Sequence, residues 1–96
     1  MINLRLVNEY LSPPLFCPDL EKMGHIDIDD LPISRGLKDE LFLWDKEYQA
    51  TFNDDYPPDS GFSSIEDEVR HKNVGVMLAK KMQKELEGRY LIEYLP

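Results

Sequence analysis

The sequence predicts an α+β fold: a small sheet made from the N- and C-terminal strands, with room for a third, covered on one side by two helices. Three observations carry this prediction. Ile2 to Val7 places Ile2, Leu4 and Leu6 on one face and Asn3 and Arg5 on the other, the alternation of a half-buried strand. Leu37, Leu41, Trp44, Tyr48 and Thr51 recur at steps of four and three, which puts them on one side of a 3.6-residue helix. Arg89 to Leu95 follows a second helical stretch and is rich in aromatic and β-branched residues, as strands are. Two strands are not stable alone in water, so the terminal pair is expected to sit in one sheet beneath the helices.

Taken in order, the first strand ends at Ser12-Pro13-Pro14. Leu15 to Leu20 reads as irregular chain with apolar anchors, because Pro13, Pro14 and Pro18 argue against a central strand. His25-Ile26-Asp27-Ile28-Asp29-Asp30 alternates again, so a short second strand with Ile26 and Ile28 inward is expected there. Ser34 is placed to cap the first helix by accepting from a first-turn N–H. That helix should end near Asn53, where Asp54 to Gly61 brings turn chemistry: proline fixes φ and glycine permits positive φ. Ser63 and Ser64 open the second helix with overlapping capping boxes to Glu66 and Asp67. It should run to about Glu87 and stop at Gly88. Its apolar stripe is read as Ile65, Val69, Gly75, Val76, Leu78, Ala79, Met82 and Leu86, with Gly75 and Ala79 small enough to let another element approach. The expected core is Leu4, Leu6, Leu37, Leu41, Trp44, Tyr48, Val76, Ala79, Met82, Leu86 and Ile92.

A chain of 96 residues suffices for one domain (residues 1–96) with one core, and leaves little room for an active-site cleft. No apolar run approaches the ~20 residues of a membrane span, and no secretory leader is legible. The lone Cys17 excludes an internal disulfide framework and fits a reducing cytoplasm, where the protein is expected to reside. The net charge of −8 is unevenly spread: residues 27–68 hold thirteen acids against three bases, while residues 69–96 hold six bases against three acids. An acidic middle third repels nucleic acid, whose affinity comes from neutralised phosphates, and steers a basic protein towards itself.

No catalytic or cofactor motif is present. The aspartates at 27, 29 and 30 invite a calcium loop, but the sixth position from Asp27 is Pro32 and the twelfth is Lys38, where an EF-hand needs glycine and a bidentate acid. An acidic outer strand face is the simpler reading. His25 and His71 have no second ligand at metal spacing, and no glycine-rich turn stands near Cys17 to support a Cys–His pair. Asp54, Asp55 and Asp59 flank two prolines; they are solvated turn residues or a protein-binding loop. Tyr56 among them is either an interface anchor or a ring packed back on Trp44 or Phe62. Phe42 and Leu43, off the main stripe, are a second packing face or a contact patch.

Leu31-Pro32-Ile33-Ser34, then Leu37, Leu41, Trp44 and Tyr48, then Asn53-Asp54, Pro57 or Pro58, and Ser60-Gly61-Phe62 follow a recognisable order. Gly75, Leu86 and Tyr90 continue it. This order resembles small bacterial immunity proteins encoded beside polymorphic toxins, including those of contact-dependent growth inhibition. Arg35-Gly36 and the longer Asp55-Tyr56-Pro57-Pro58 turn depart from the pattern. The residues themselves, with no catalytic, cofactor or metal motif, lead to the expectation of no enzymatic activity, cofactor or metal. The resemblance implies a protein that binds and neutralises one cognate toxin domain stoichiometrically. Its shared residues are structural, so it assigns no binding residue. Charge supplies those: Asp27, Asp29, Asp30, Asp54, Asp55, Tyr56 and Asp59 are the expected contacts, and a basic nuclease the expected partner. An acidic adaptor for another basic protein is the alternative.

Overall fold

A computed structural model describes residues 1–19 and 23–96. Four strands, β1 (Ile2–Val7), β2 (Leu15–Cys17), β3 (Gly24–His25) and β4 (Tyr90–Leu95), form one sheet in the order β3-β2-β1-β4. The terminal strands pair in parallel, from Ile2 opposite Tyr90 to Val7 opposite Leu95. β2 lies antiparallel to both β1 and β3. Helices α1 (Arg35–Gln49) and α2 (Ile65–Glu85) cover one face, so the α+β class and the pairing of the chain ends are as the sequence predicts.

Alternation decides which side of each strand is buried. Leu4 and Leu6 of β1 and Leu15 and Cys17 of β2 are fully buried beneath the helices, while Leu91, Glu93 and Leu95 of β4 face solvent. Two local expectations are corrected. The segment after Pro14 is a strand, and a central one, because β2 fits between the prolines: it begins after Pro14 and ends before Pro18, so neither ring occupies a ladder position that must donate. Pro14 still accepts through its carbonyl, from the Val7 N–H at 2.9 Å. The Leu20 anchor expected in that segment lies outside the described residues. The alternating 25–30 stretch is not a strand beyond His25. Ile28 to Asp30 form a 3₁₀ turn, with Asp30 N–H donating to the Asp27 carbonyl at 3.0 Å, and Ile28 is buried from that turn.

Ser34 caps α1 as expected, its hydroxyl accepting from Leu37 N–H at 3.3 Å, and Ser64 caps α2 by accepting from Asp67 N–H at 3.1 Å. The Ser34 hydroxyl also donates to Glu85 at 2.8 Å, tying the start of α1 to the end of α2. The Ser34 backbone N–H donates to the other Glu85 oxygen at 2.6 Å, and this bond first, with the hydroxyl bond beside it, holds the Glu85 carboxyl below its ordinary value. α2 buries His71, Gly75, Leu78 and Met82, with Leu86 following at its end. Ile65, Val69 and Val76, expected in that stripe, are exposed: the buried set advances by steps of four, three and four, and these three residues fall off its line. Tyr48, Ala79 and Ile92 are only partly buried. Leu15, Ile28, Leu31, Ile33 and Leu78 complete the core.

Gly75 is where α2 approaches the sheet most closely. A Cβ there would lie 2.5 Å from the Tyr94 ring and 2.8 Å from Trp44 Cζ2, distances that no real Cβ contact tolerates. The close approach anticipated from Gly75 is therefore made by β4 and α1 together.

Candidate functional site

The loop between the helices is held by its own polar groups. Asn53 Oδ1 accepts from the N–H of Asp55 and of Tyr56, both at 3.0 Å, and Asn53 N–H donates to Ser60 Oγ at 2.8 Å. Pro57 to Asp59 turn as a 3₁₀ segment, and Gly61, at φ +143°, closes the loop by donating to the Thr51 carbonyl at 3.1 Å. Such a loop loses little freedom on docking. Asp54, Asp55, Tyr56 and Asp59 all face solvent. Tyr56 is 57% exposed and stacks on neither Trp44 nor Phe62.

Asp27, Asp29 and Asp30 are likewise exposed, around the 3₁₀ turn that precedes α1. The two groups lie at opposite ends of α1, whose 15 residues set them apart by ~20 Å of helix at ~1.5 Å per residue. The lysine nearest the first group, Lys38, bonds the Asp29 carbonyl oxygen and leaves the carboxylate unengaged.

The pattern of ion pairs separates these aspartates from the chain's other acids. Glu93 pairs with Arg5, Glu9 with His25, Asp39 with Arg35, Asp67 with Arg70, Glu68 with Lys72 and Glu40 with Lys81. Asp19 accepts from Asn3, Asp45 from Asn8, and Glu85 from Ser34, and Glu47 lies 4.0 Å from His71. Among the described residues, the carboxylates of Asp27, Asp29, Asp30, Asp54, Asp55 and Asp59 have no such partner, and Glu66 and Glu87 are the remaining acids of which this is true.

A buried polar network, built from residues far apart in sequence, supports α1 from inside. His71 is 4% exposed and its ring lies between Trp44 and Phe62. Asn8 Nδ2 donates to the Asp45 carboxylate at 3.2 Å, so Asn8 Oδ1 must be the acceptor of the 3.0 Å bond from His71 Nε2. The proton is therefore on Nε2. Nδ1 is buried without a hydrogen-bond partner, 4.0 Å from Glu47. Burial lowers the His71 pKa from its ordinary 6.5, against a smaller upward pull from Glu47. Burial likewise raises the Asp45 carboxyl, and bonds from Asn8 and Gln49 offset part of that.

Neither histidine forms a catalytic or metal group with Cys17. Cys17 is buried in β2, while the His25 ring is partly exposed, packed edge-on against Phe16 and bonded to Glu9 at 2.9 Å. Among the described residues, no three His, Cys, Asp or Glu side chains are grouped to hold a metal ion, and no helix is long and apolar enough to cross a membrane. What the molecule offers is surface: a stiff acidic loop, a second acidic turn, and exposed Phe42 and Leu43 on the helix between them.

These features define a small α+β binding domain whose chemistry lies in what it can cover. A family model described as Serratia CdiI immunity protein-like matches residues 2–96, and the chain belongs to that family of contact-dependent growth inhibition immunity proteins, which neutralise a cognate toxin. No curated protein matches the chain.

Proposed function

We propose that this protein acts in the cytoplasm by binding one cognate toxin domain, a basic nuclease, in a stoichiometric complex, and catalyses no reaction itself. Asp27, Asp29, Asp30, Asp54, Asp55, Tyr56 and Asp59 make the contacts. The single observation that carries this reading is that, among the described residues, none of the six exposed aspartate carboxylates has an ion-pair or hydrogen-bond partner, while most of the other acids have one. A carboxylate with no internal partner gives up no ion pair when a lysine or arginine of the toxin reaches it. A partner bridging both acidic groups must span ~20 Å, which calls for a folded domain rather than a short peptide. The acidic surface would occupy the basic groove with which a nuclease holds phosphates.

The test is to express the toxin domain encoded beside this chain with and without it. A 1:1 complex in sedimentation, restored growth, and nuclease activity lost on titration to one equivalent are expected. A toxin domain that remains active and unbound at excess protein contradicts the proposal.

A further inference from the structure

The turn that follows β1 contains one strained residue. Leu11 sits at φ +63°, in the left-handed region that penalises side chains with a Cβ, and it is the one described non-glycine residue with positive φ. It is held there by Gln49, whose Oε1 accepts from Leu11 N–H at 2.9 Å and whose Nε2 donates to the Glu9 carbonyl at 2.8 Å. The Leu11 side chain is 81% open to solvent. Strain retained where burial gains nothing points to a use outside the fold.

Leu11 forms one wall of a groove of about 570 Å³ that runs along α1 from the Asp27–Asp30 turn to Gln49, just before the chain enters the 50–61 loop. Pro13 and half-exposed Phe42 give it an apolar floor, and Asp27, Asp29 and Asp45 are its charged residues. Among the described residues, no lysine, arginine or histidine lines it. The groove thus sets an apolar seat directly beside the first acidic group.

We propose that this groove is the anchor site for the toxin, receiving one apolar side chain flanked by lysine or arginine, with Leu11 and Phe42 gripping the apolar group and Asp27 and Asp29 the cations. This rests on the toxin-binding reading above and extends it from a charged surface to a defined seat. Buried apolar anchors, rather than rim charges, dominate interface affinity, so Leu11 contributes mainly to the dissociation rate.

The test is Leu11→Asn, which keeps the left-handed backbone at low cost and removes the apolar group. With a catalytically inactivated form of the toxin domain encoded beside this chain as the probe, calorimetry should show Kd at least tenfold weaker, with Tm unchanged or raised. Leu91→Asn, on an exposed leucine of β4 outside the groove and outside both acidic groups, should leave Kd within about twofold, well inside the 1.4 kcal/mol of a tenfold change. Wild-type affinity in Leu11→Asn overturns the groove while leaving toxin binding intact. So does a dimer of the free protein that Leu11→Asn dissolves, since the groove would then seat a second copy. No binding by the wild type overturns both readings.

Discussion

The indole of Trp44 lies flat on the imidazole of His71, ring centres 4.7 Å apart and planes 4° from parallel, while its Nε1–H donates to the His71 backbone carbonyl at 2.9 Å. One side chain of α1 thus holds both the ring and the backbone of one residue of α2. Gly75, one turn further along α2, leaves the space that the Trp44 ring enters from one side and Tyr94 from the other.

Gly75→Ala tests that packing. In an open helix the change would stabilise by up to ~1 kcal/mol. Here the added methyl meets two aromatic rings, and overpacking of this kind costs ~1–3 kcal/mol. Urea unfolding should show a net loss of that order; a gain would mean the rings have room to move.

His71 makes stability depend on pH in a direction that can be worked out. Its folded pKa lies below its ordinary 6.5, so between the two values the unfolded chain binds more protons than the native state. Stability should therefore be complete above pH 6.5 and decline as pH falls through the range between the ordinary and the folded pKa. His71→Gln should start from lower stability but show a shallower decline between about pH 7 and 5. An unchanged slope would show that the buried ring is not the group responsible.

Gln83 completes the free edge of the sheet. Its Nε2 donates to the Tyr90 carbonyl and its Oε1 accepts from Ile92 N–H, both at 2.9 Å, so one side chain of α2 satisfies part of the outer side of β4. Gln83→Glu keeps the acceptor for Ile92 but sets a carboxylate against the Tyr90 carbonyl. A loss of ~1–3 kcal/mol is expected, with faster hydrogen exchange at Leu91 to Tyr94. Exchange equal to wild type would show that this edge needs no cover.

The fold was legible where a pattern is local. β1 and its inward Leu4 and Leu6 and the Ser34 and Ser64 caps follow from spacing or capping chemistry in adjacent residues, and the pairing of the termini follows because two strands need a common sheet. What was not legible depends on partners distant in sequence. β2 is a strand because β1 and β3 flank it, which its three prolines conceal. His71 is buried because Asn8, 63 positions earlier, takes its proton donor. Of the candidate site, the exposure of the seven proposed contact residues was legible, at 54–59 from turn chemistry and at 27–30 from the alternation of aspartates with apolar residues, although that stretch is a 3₁₀ turn and not the expected strand. The groove beside them does not, because Leu11 gives no sign in sequence of a left-handed backbone imposed by Gln49.

Replacing Asp54, Asp55 and Asp59 with asparagine should slow toxin association without changing Tm by more than a degree or two, since none of these carboxylates has a partner among the described residues. The same replacement at Glu66 and Glu87, equally unpaired but outside both acidic groups, should change the rate much less. Equal slowing by both sets would show that net charge, not its placement, governs capture.

The most direct measurement is the association rate of the wild-type protein with its toxin domain, followed by stopped flow from about 20 mM to about 500 mM salt, a range over which the Debye length falls severalfold from beyond 10 Å. Capture by a pre-formed acidic surface predicts a rate near 10⁸ M⁻¹s⁻¹ at the low end, falling by at least tenfold at the high end. A rate that stays flat across that range would contradict it.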